Sequence, residues 1–289
     1  MQTTRYAEIL DTLAKLDSWL ERMGIEPKKD RIHQAIEIVR KAEEGFETAR
    51  CSGQPAKIGN IEDFYFGITE ALEFCDIFRA FESEKPEVIG PRLQRALSGP
   101  LRPIEETANN ADGRNVMFEL ALAAEWRLRG GDVILGEPDL ILRLDDVPFL
   151  VACKRPRYEH SIRANVRRAA EQLQQALTRE EFHGGFGIIT ISTSRILNPG
   201  DKIFQIATEE ARHRLGDVLE RLLHENEIHW KRSEFDPRVS AILFCVATPA
   251  AIEDRDTLAR MSYSAIKAIG REGPAFNLLR EKLSPLFNQ

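Results

Sequence analysis

The sequence predicts an α/β chain, with a helical region over residues 1–104 followed by a region over 105–289 in which strands alternate with helices. Three observations predict it. Apolar residues recur at helical spacing through the first region. From Asp132 onward, apolar runs of strand length bounded by Gly, Pro and Asp alternate with amphipathic stretches. Between the two, residues 105–113 (Glu-Glu-Thr-Ala-Asn-Asn-Ala-Asp-Gly) are polar and turn-rich, which marks a domain boundary.

Each element has its own signal. Ile9, Leu10, Leu13, Leu16, Trp19 and Leu20 form one apolar stripe, and Gly24 and Pro27 end that helix. A second helix runs from about Lys29 to Thr48, with Ile32, Ala35, Ile36, Val39 and Phe46 inward. A third, from Ile61 to Phe81, carries Phe64, Tyr65, Phe66, Phe74, Phe78 and Phe81. Aromatic residues at helical spacing are read as core in preference to a base-stacking platform. A short fourth helix is expected over Pro91 to Leu97. This region shows no catalytic spacing, so its expected work is dimerisation, binding a partner protein, or control of access. In the second region a helix is expected over Arg114 to Arg129, then a strand over Asp132 to Leu135. Further strands are expected at Phe186–Ser192 and Val239–Thr248, with helices over about Lys202–Glu225, Asp256–Ile269 and Pro274–Leu283.

The chemistry-bearing stretch lies between them. Leu140-Ile141-Leu142-Arg143-Leu144 and Val147-Pro148-Phe149-Leu150-Val151-Ala152-Cys153-Lys154 flank Asp145-Asp146, which reads as a β-hairpin. Asp139 opens the first strand and Lys154 closes the second. Antiparallel pairing brings those two positions to one end of the sheet. A carboxylate and an ammonium there can together hold a metal ion and an anionic substrate. After Lys154 the chain turns basic: Arg155, Arg157, Arg163, Arg167 and Arg168 stand against the single acid Glu159. Arg163 and Arg167 are four apart and share a helix face, so this segment is the candidate phosphate contact. His160 lies beside it.

Composition narrows the function classes. At 289 residues, 43% hydrophobic and 30% charged, the chain is long and apolar enough for one large domain or two small ones. The net charge of −6 requires a nucleic-acid binder of this composition to concentrate its positive charge locally. Cys51, Cys75, Cys153 and Cys245 form no Cys-x-x-Cys pair, and the histidines show no paired metal spacing, which argues against a zinc site. Gly184-Gly185-Phe186-Gly187 precedes its strand, so it is not a dinucleotide fingerprint. Charges within the first twenty residues argue against a secretory signal, and no apolar run approaches the ~18 residues that span a bilayer. The expectation is a cytoplasmic protein with no membrane contact.

Pro138-Asp139, the hairpin, and a strand ending Cys153-Lys154 resemble the PD-(D/E)xK nuclease superfamily. So does the order around them: a preceding helix with Glu119, a three-stranded meander, the basic helix with Gln172, and another strand. The resemblance covers roughly Gly113 to Ser192. It implies a restriction-endonuclease-like core, a mixed β-sheet flanked by helices, and metal-dependent hydrolysis of nucleic acid, with DNA the expected substrate and Mg²⁺ the expected cofactor, replaceable by Mn²⁺. By the same resemblance Asp139, Glu119 and the main-chain carbonyl of Cys153 would hold the metal. Lys154 would orient or deprotonate the water. Gln172 resembles a residue of exonuclease members, but the tyrosine that follows it there is Ala176 here. The chain departs from the pattern at the second acid, which is Ala152. Three explanations stand: a catalytic knockout made by substitution, favoured by the intact neighbours; a natural degenerate member; or an acid that has moved, with Glu171 the candidate. As it stands the chain is expected to bind metal poorly and cut slowly or not at all. A nuclease joined to a separate helical region suits an antiphage defence effector, by analogy of architecture. The alternatives are a nucleic-acid-binding module that has lost catalysis and a structural subunit docking through the N-terminal helices.

Overall fold

The computed structural model describes residues 6–25, 30–56, 59–206, 209–231, 235–252, 258–270 and 272–287. The chain is α/β, with a helical N-terminal region and a mixed sheet. Its elements run α1 (Tyr6–Arg22), α2 (Arg31–Ser52), α3 (Ile61–Phe81), α4 (Pro86–Ala96), α5 (Asp112–Leu128), β1 (Asp132–Leu135), β2 (Leu140–Leu144) and β3 (Val147–Lys154). There follow α6 (Ile162–Leu177), β4 (Phe186–Ser192), α7 (Ser194–Leu197), β5 (Phe204–Ile206), α8 (Glu209–Glu225), α9 (Ile228–Lys231), β6 (Val239–Ile252), β7 (Leu258–Ala268) and α10 (Pro274–Phe287). The chain forms two compact units, and neither is a single run of sequence. One unit takes residues 1–124, 199–207 and 248–261; the other takes 125–198, 208–247 and 262–289. The turn-rich segment after residue 104 therefore lies inside the first unit.

In the first unit α1, α2 and α3 form where the apolar spacing places them. The Asp30 side chain caps α2 by accepting from His33 N–H, and Asn60 caps α3 in the same way from Asp63 N–H. Leu13, Leu16, Trp19, Ile32, Val39, Phe74 and Phe81 are each essentially inaccessible to solvent. Burying a side chain of this size is worth about 1.5–3 kcal/mol, so helix–helix packing dominates this unit's stability. The phenylalanines of α3 are core, and Trp19 meets Phe78 edge-on at 5.6 Å. A charged cluster lies in the same interior. The Arg31 guanidinium, 0% exposed, pairs with Glu70, 2% exposed, at 2.5 Å and donates to the Ala96 carbonyl. Arg114 joins Glu70 and Glu106 at 3.5 and 3.2 Å. Burial pushes the Glu73 carboxyl above its ordinary value, against the pull of Arg260.

In the second unit β1, β2 and β3 form an antiparallel meander, and β3, β4 and β6 continue it in parallel. β7 also pairs with β6. Back in the first unit, β5 pairs parallel with Ala250–Ile252. The β2–β3 turn places Asp145 and Asp146 at φ +47° and +67°, the left-handed pair of a two-residue hairpin loop. Asp tolerates that region but glycine fits it without steric cost. The Asp146→Gly variant is expected to gain about 0.5–1 kcal/mol, read as a raised midpoint in urea denaturation.

Three boundaries differ from the sequence-based expectation. α4 begins at Pro86 rather than Pro91, because proline at the first helical position has no N–H to lose. The stretch expected as one helix from about Lys202 contains β5, with α8 starting only at Glu209. The segment expected as a helix over Asp256–Ile269 is the strand β7; residues 253–257 lie outside the described residues. Its Ala, Met and Lys favour a helix, but that preference is small per residue and pairing with β6 overrides it. Tyr263 of β7 packs on Gly216 of α8 so closely that a Cβ there would stand 2.8 Å from the ring. No helix among the described residues is long and apolar enough to cross a membrane.

Candidate functional site

Strand register builds the site. Leu140 lies opposite Val151, so one further step sets Asp139 beside Ala152 and next to Lys154. Asp139 Oδ2 accepts a hydrogen bond from Cys153 N–H at 2.6 Å and lies 3.7 Å from Lys154 Nζ. Lys154 Nζ in turn donates to the Cys153 carbonyl at 2.8 Å. The Asp139 and Lys154 side chains keep only 13% and 18% of their exposure, so this pair is screened less than a surface pair.

The face on which the pair acts follows from the parallel ladder. Leu150, Ala152 and Lys154 share one face of β3 by the strand period of two. They lie beside Gly187, Ile189 and Ile191 of β4. A Cβ on Gly187 would meet Leu173 of α6 at 3.1 Å, which identifies this as the face that α6 covers. Ala152 is 0% exposed there. α6 turns Ile162, Val166, Ala169, Ala170, Leu173, Ala176 and Leu177 inward, a stripe at i, i+3, i+4 and i+7 spacing.

The other expected site residues divide around this centre. Glu119 is half-buried on α5, within the first unit, whereas Asp139, Cys153 and Lys154 belong to the second. Arg155 is half-buried, and Arg157, Arg163, Arg167 and Arg168 are exposed. Gln172 and Glu171 are exposed on α6, outside its inward stripe. Glu171 pairs with Arg167 at 3.5 Å, so the candidate for a moved acid is held by a surface arginine. Burial pushes the thiols of Cys75 and Cys245 up to about 12, and neither serves as a nucleophile at neutral pH.

The donor set can be tested against the Mg²⁺ or Mn²⁺ that the resemblance implies. Mg²⁺ takes near-octahedral oxygen ligands, of which one or two are carboxylates. The centre offers one carboxylate, whose Oδ2 already accepts from a main-chain N–H, and one carbonyl already bonded to the Lys154 ammonium. Ala152 offers no ligand. The ammonium stands beside Asp139 Oδ2 and the Cys153 carbonyl oxygen, so both already face a positive charge. Asp139 and Lys154 also cancel in formal charge, so the pair adds no net charge that would draw a cation in. Among the described residues no three His, Cys, Asp or Glu side chains converge to hold a metal ion. As the chain stands, these residues do not fit a tightly held divalent cation.

Two groupings were not foreseen from sequence. Tyr158 stacks on His160 with ring centroids 5.3 Å apart and planes 9° from parallel, and the Arg157 guanidinium lies 5.3 Å from the Tyr158 ring centre. The signal available was an aromatic residue inside a basic run. The Arg31–Glu70 pair was also missed, although Glu70 sits four residues from both Phe66 and Phe74 and therefore on an apolar face. Comparison with family models, with characterised proteins and with solved structures finds no match to the chain.

Proposed function

We propose that this chain acts on nucleic acid, DNA first, through the Asp139–Lys154 corner of a nuclease-type framework. With alanine at 152 it holds strands and cuts them slowly or not at all. The observation that carries this reading is the corner itself: a carboxylate and an ammonium 3.7 Å apart at the end of the β2–β3 hairpin, continued in sequence by the arginines before and on α6. The geometry supports binding more directly than cutting, because hydrolysis of a phosphodiester needs a positioned water and charge neutralisation at the leaving oxygen, which a divalent cation would supply. Lys154 can neutralise one phosphate charge and Asp139 can orient the lysine. A role in antiphage defence rests on the architecture of a nuclease-like region beside a helical one.

Binding of a labelled oligonucleotide, followed by fluorescence anisotropy across salt concentrations, tests the reading. The affinity is expected to fall steeply with salt, because each phosphate neutralised releases counterions. Replacing both Arg163 and Arg167 by serine should lower the salt slope by about 2, one for each phosphate left without its arginine. EDTA should leave the affinity of the parent chain unchanged, since Lys154 supplies the cation. In Lys154→Met, Asp139 loses its ammonium; binding should weaken and become stronger again on adding Mn²⁺. Absence of binding to DNA and RNA at low salt would overturn the reading.

A further inference from the structure

The segment joining β3 to α6 carries an aromatic stack that the hydrolytic centre does not use. Tyr158 is 51% exposed, a large ring standing well out in solvent. Its ring stacks on the exposed His160 and carries the Arg157 guanidinium at cation–π distance. The backbone below it is fixed. Ser161 N–H and Ser161 Oγ both donate to the Tyr158 carbonyl, at 3.0 and 2.6 Å, and Asn165 donates to the Ser161 carbonyl at 2.9 Å. Pro156, two residues earlier, is buried. The backbone that carries the rings is thus set before any ligand arrives, which lowers the ordering cost of binding.

The segment around the stack is rich in cations. Arg155, Arg157 and Arg163 stand against one acid, Glu159, whose carboxylate accepts from Asn226 Nδ2 at 3.4 Å. An exposed aromatic surface in a cationic setting suits a ligand with a flat ring and a phosphate. A duplex keeps its base faces stacked on one another, whereas a single strand offers them. Tyr158 is four chain steps from Lys154, so their Cα atoms lie at most about 14 Å apart, within reach of a short strand.

We propose that Arg157, Tyr158 and His160 form a stacking platform for an unpaired base, which selects single-stranded or frayed nucleic acid for the Asp139–Lys154 corner. The inference rests on the nucleic-acid reading above and adds the form of the strand. Stacking on an aromatic side chain is worth a loss of about 5- to 100-fold in affinity on alanine substitution.

The test measures anisotropy with a labelled oligothymidine and with a fully paired hairpin of equal length. Tyr158→Ala should weaken oligothymidine binding about 5- to 100-fold while leaving the hairpin nearly unchanged, and Tyr158→Phe should bind like the parent chain. Because Trp19, Trp126 and Trp230 are buried at 0%, 0% and 1% exposure, Tyr158→Trp adds an exposed reporter whose emission should be quenched by oligothymidine. Tyr158→Ala binding the single strand as tightly as the parent chain, or losing both substrates equally, would overturn the platform and leave the nucleic-acid reading standing. Failure of the parent chain to bind either substrate would overturn both.

Discussion

The Ala152→Glu variant is expected to nick supercoiled plasmid in Mg²⁺ or Mn²⁺ at least ~100-fold faster than the parent chain, a gain of about 2.7 kcal/mol in the barrier. Position 152 lies one ladder step from Leu140 and Val151, beside Asp139 and on the Lys154 face of the strand. A second carboxylate there changes the formal charge of the corner from zero to minus one. The cost of burying that charge falls when a divalent cation bridges it to Asp139. The same substitution should therefore lower the melting temperature in EDTA and raise it again on adding Mn²⁺, whereas the parent chain shifts little with either. Adding Asp139→Ala or Lys154→Ala should abolish the gained nicking. A variant that gains Mn²⁺-dependent stability but stays inert on plasmid, single-stranded DNA and RNA would show that the corner binds cations without being hydrolytic. A variant with neither property would remove the metal-nuclease reading altogether.

The largest expected loss of stability comes from Glu70→Ala, about 3–5 kcal/mol. Glu70 is 2% exposed and pairs with Arg31, itself 0% exposed, and with Arg114. Its removal leaves the Arg31 guanidinium charged in the helical core without that carboxylate. Replacing both members, as Arg31→Met with Glu70→Leu, should cost less than the sum of the single changes, because no buried charge is then stranded. Chemical denaturation of the four proteins of this cycle measures the difference. Additive losses would show that the two charges do not depend on each other.

Much of the fold was legible because period and punctuation report local structure directly. The stripe from Ile9 to Leu20, the bounds of α3 and β1, and the hairpin around Asp145-Asp146 all follow from residues close in sequence. The meeting of Asp139 and Lys154 was legible for the same reason: one tight turn fixes the register, and register fixes which side chains face each other. β7 was not legible, since Leu258–Ala268 has helix-favouring residues and becomes a strand only beside β6. The two compact units were not legible either, because residues 199–207 and 248–261 join the first from far along the chain.

Residue order alone was enough to show that the chain is α/β, that its first region is helical, and that an acid and a lysine close one hairpin end ahead of a basic helix. Those are consequences of spacing, turn chemistry and charge, which act over a few residues. The folded chain was needed to show that the Lys154 ammonium lies beside both Asp139 Oδ2 and the Cys153 carbonyl, and that Glu119 falls in a different compact unit from Asp139 and Lys154. Side-chain reach and the joining of distant segments are set when the core packs, and no preference acting over a few residues specifies them.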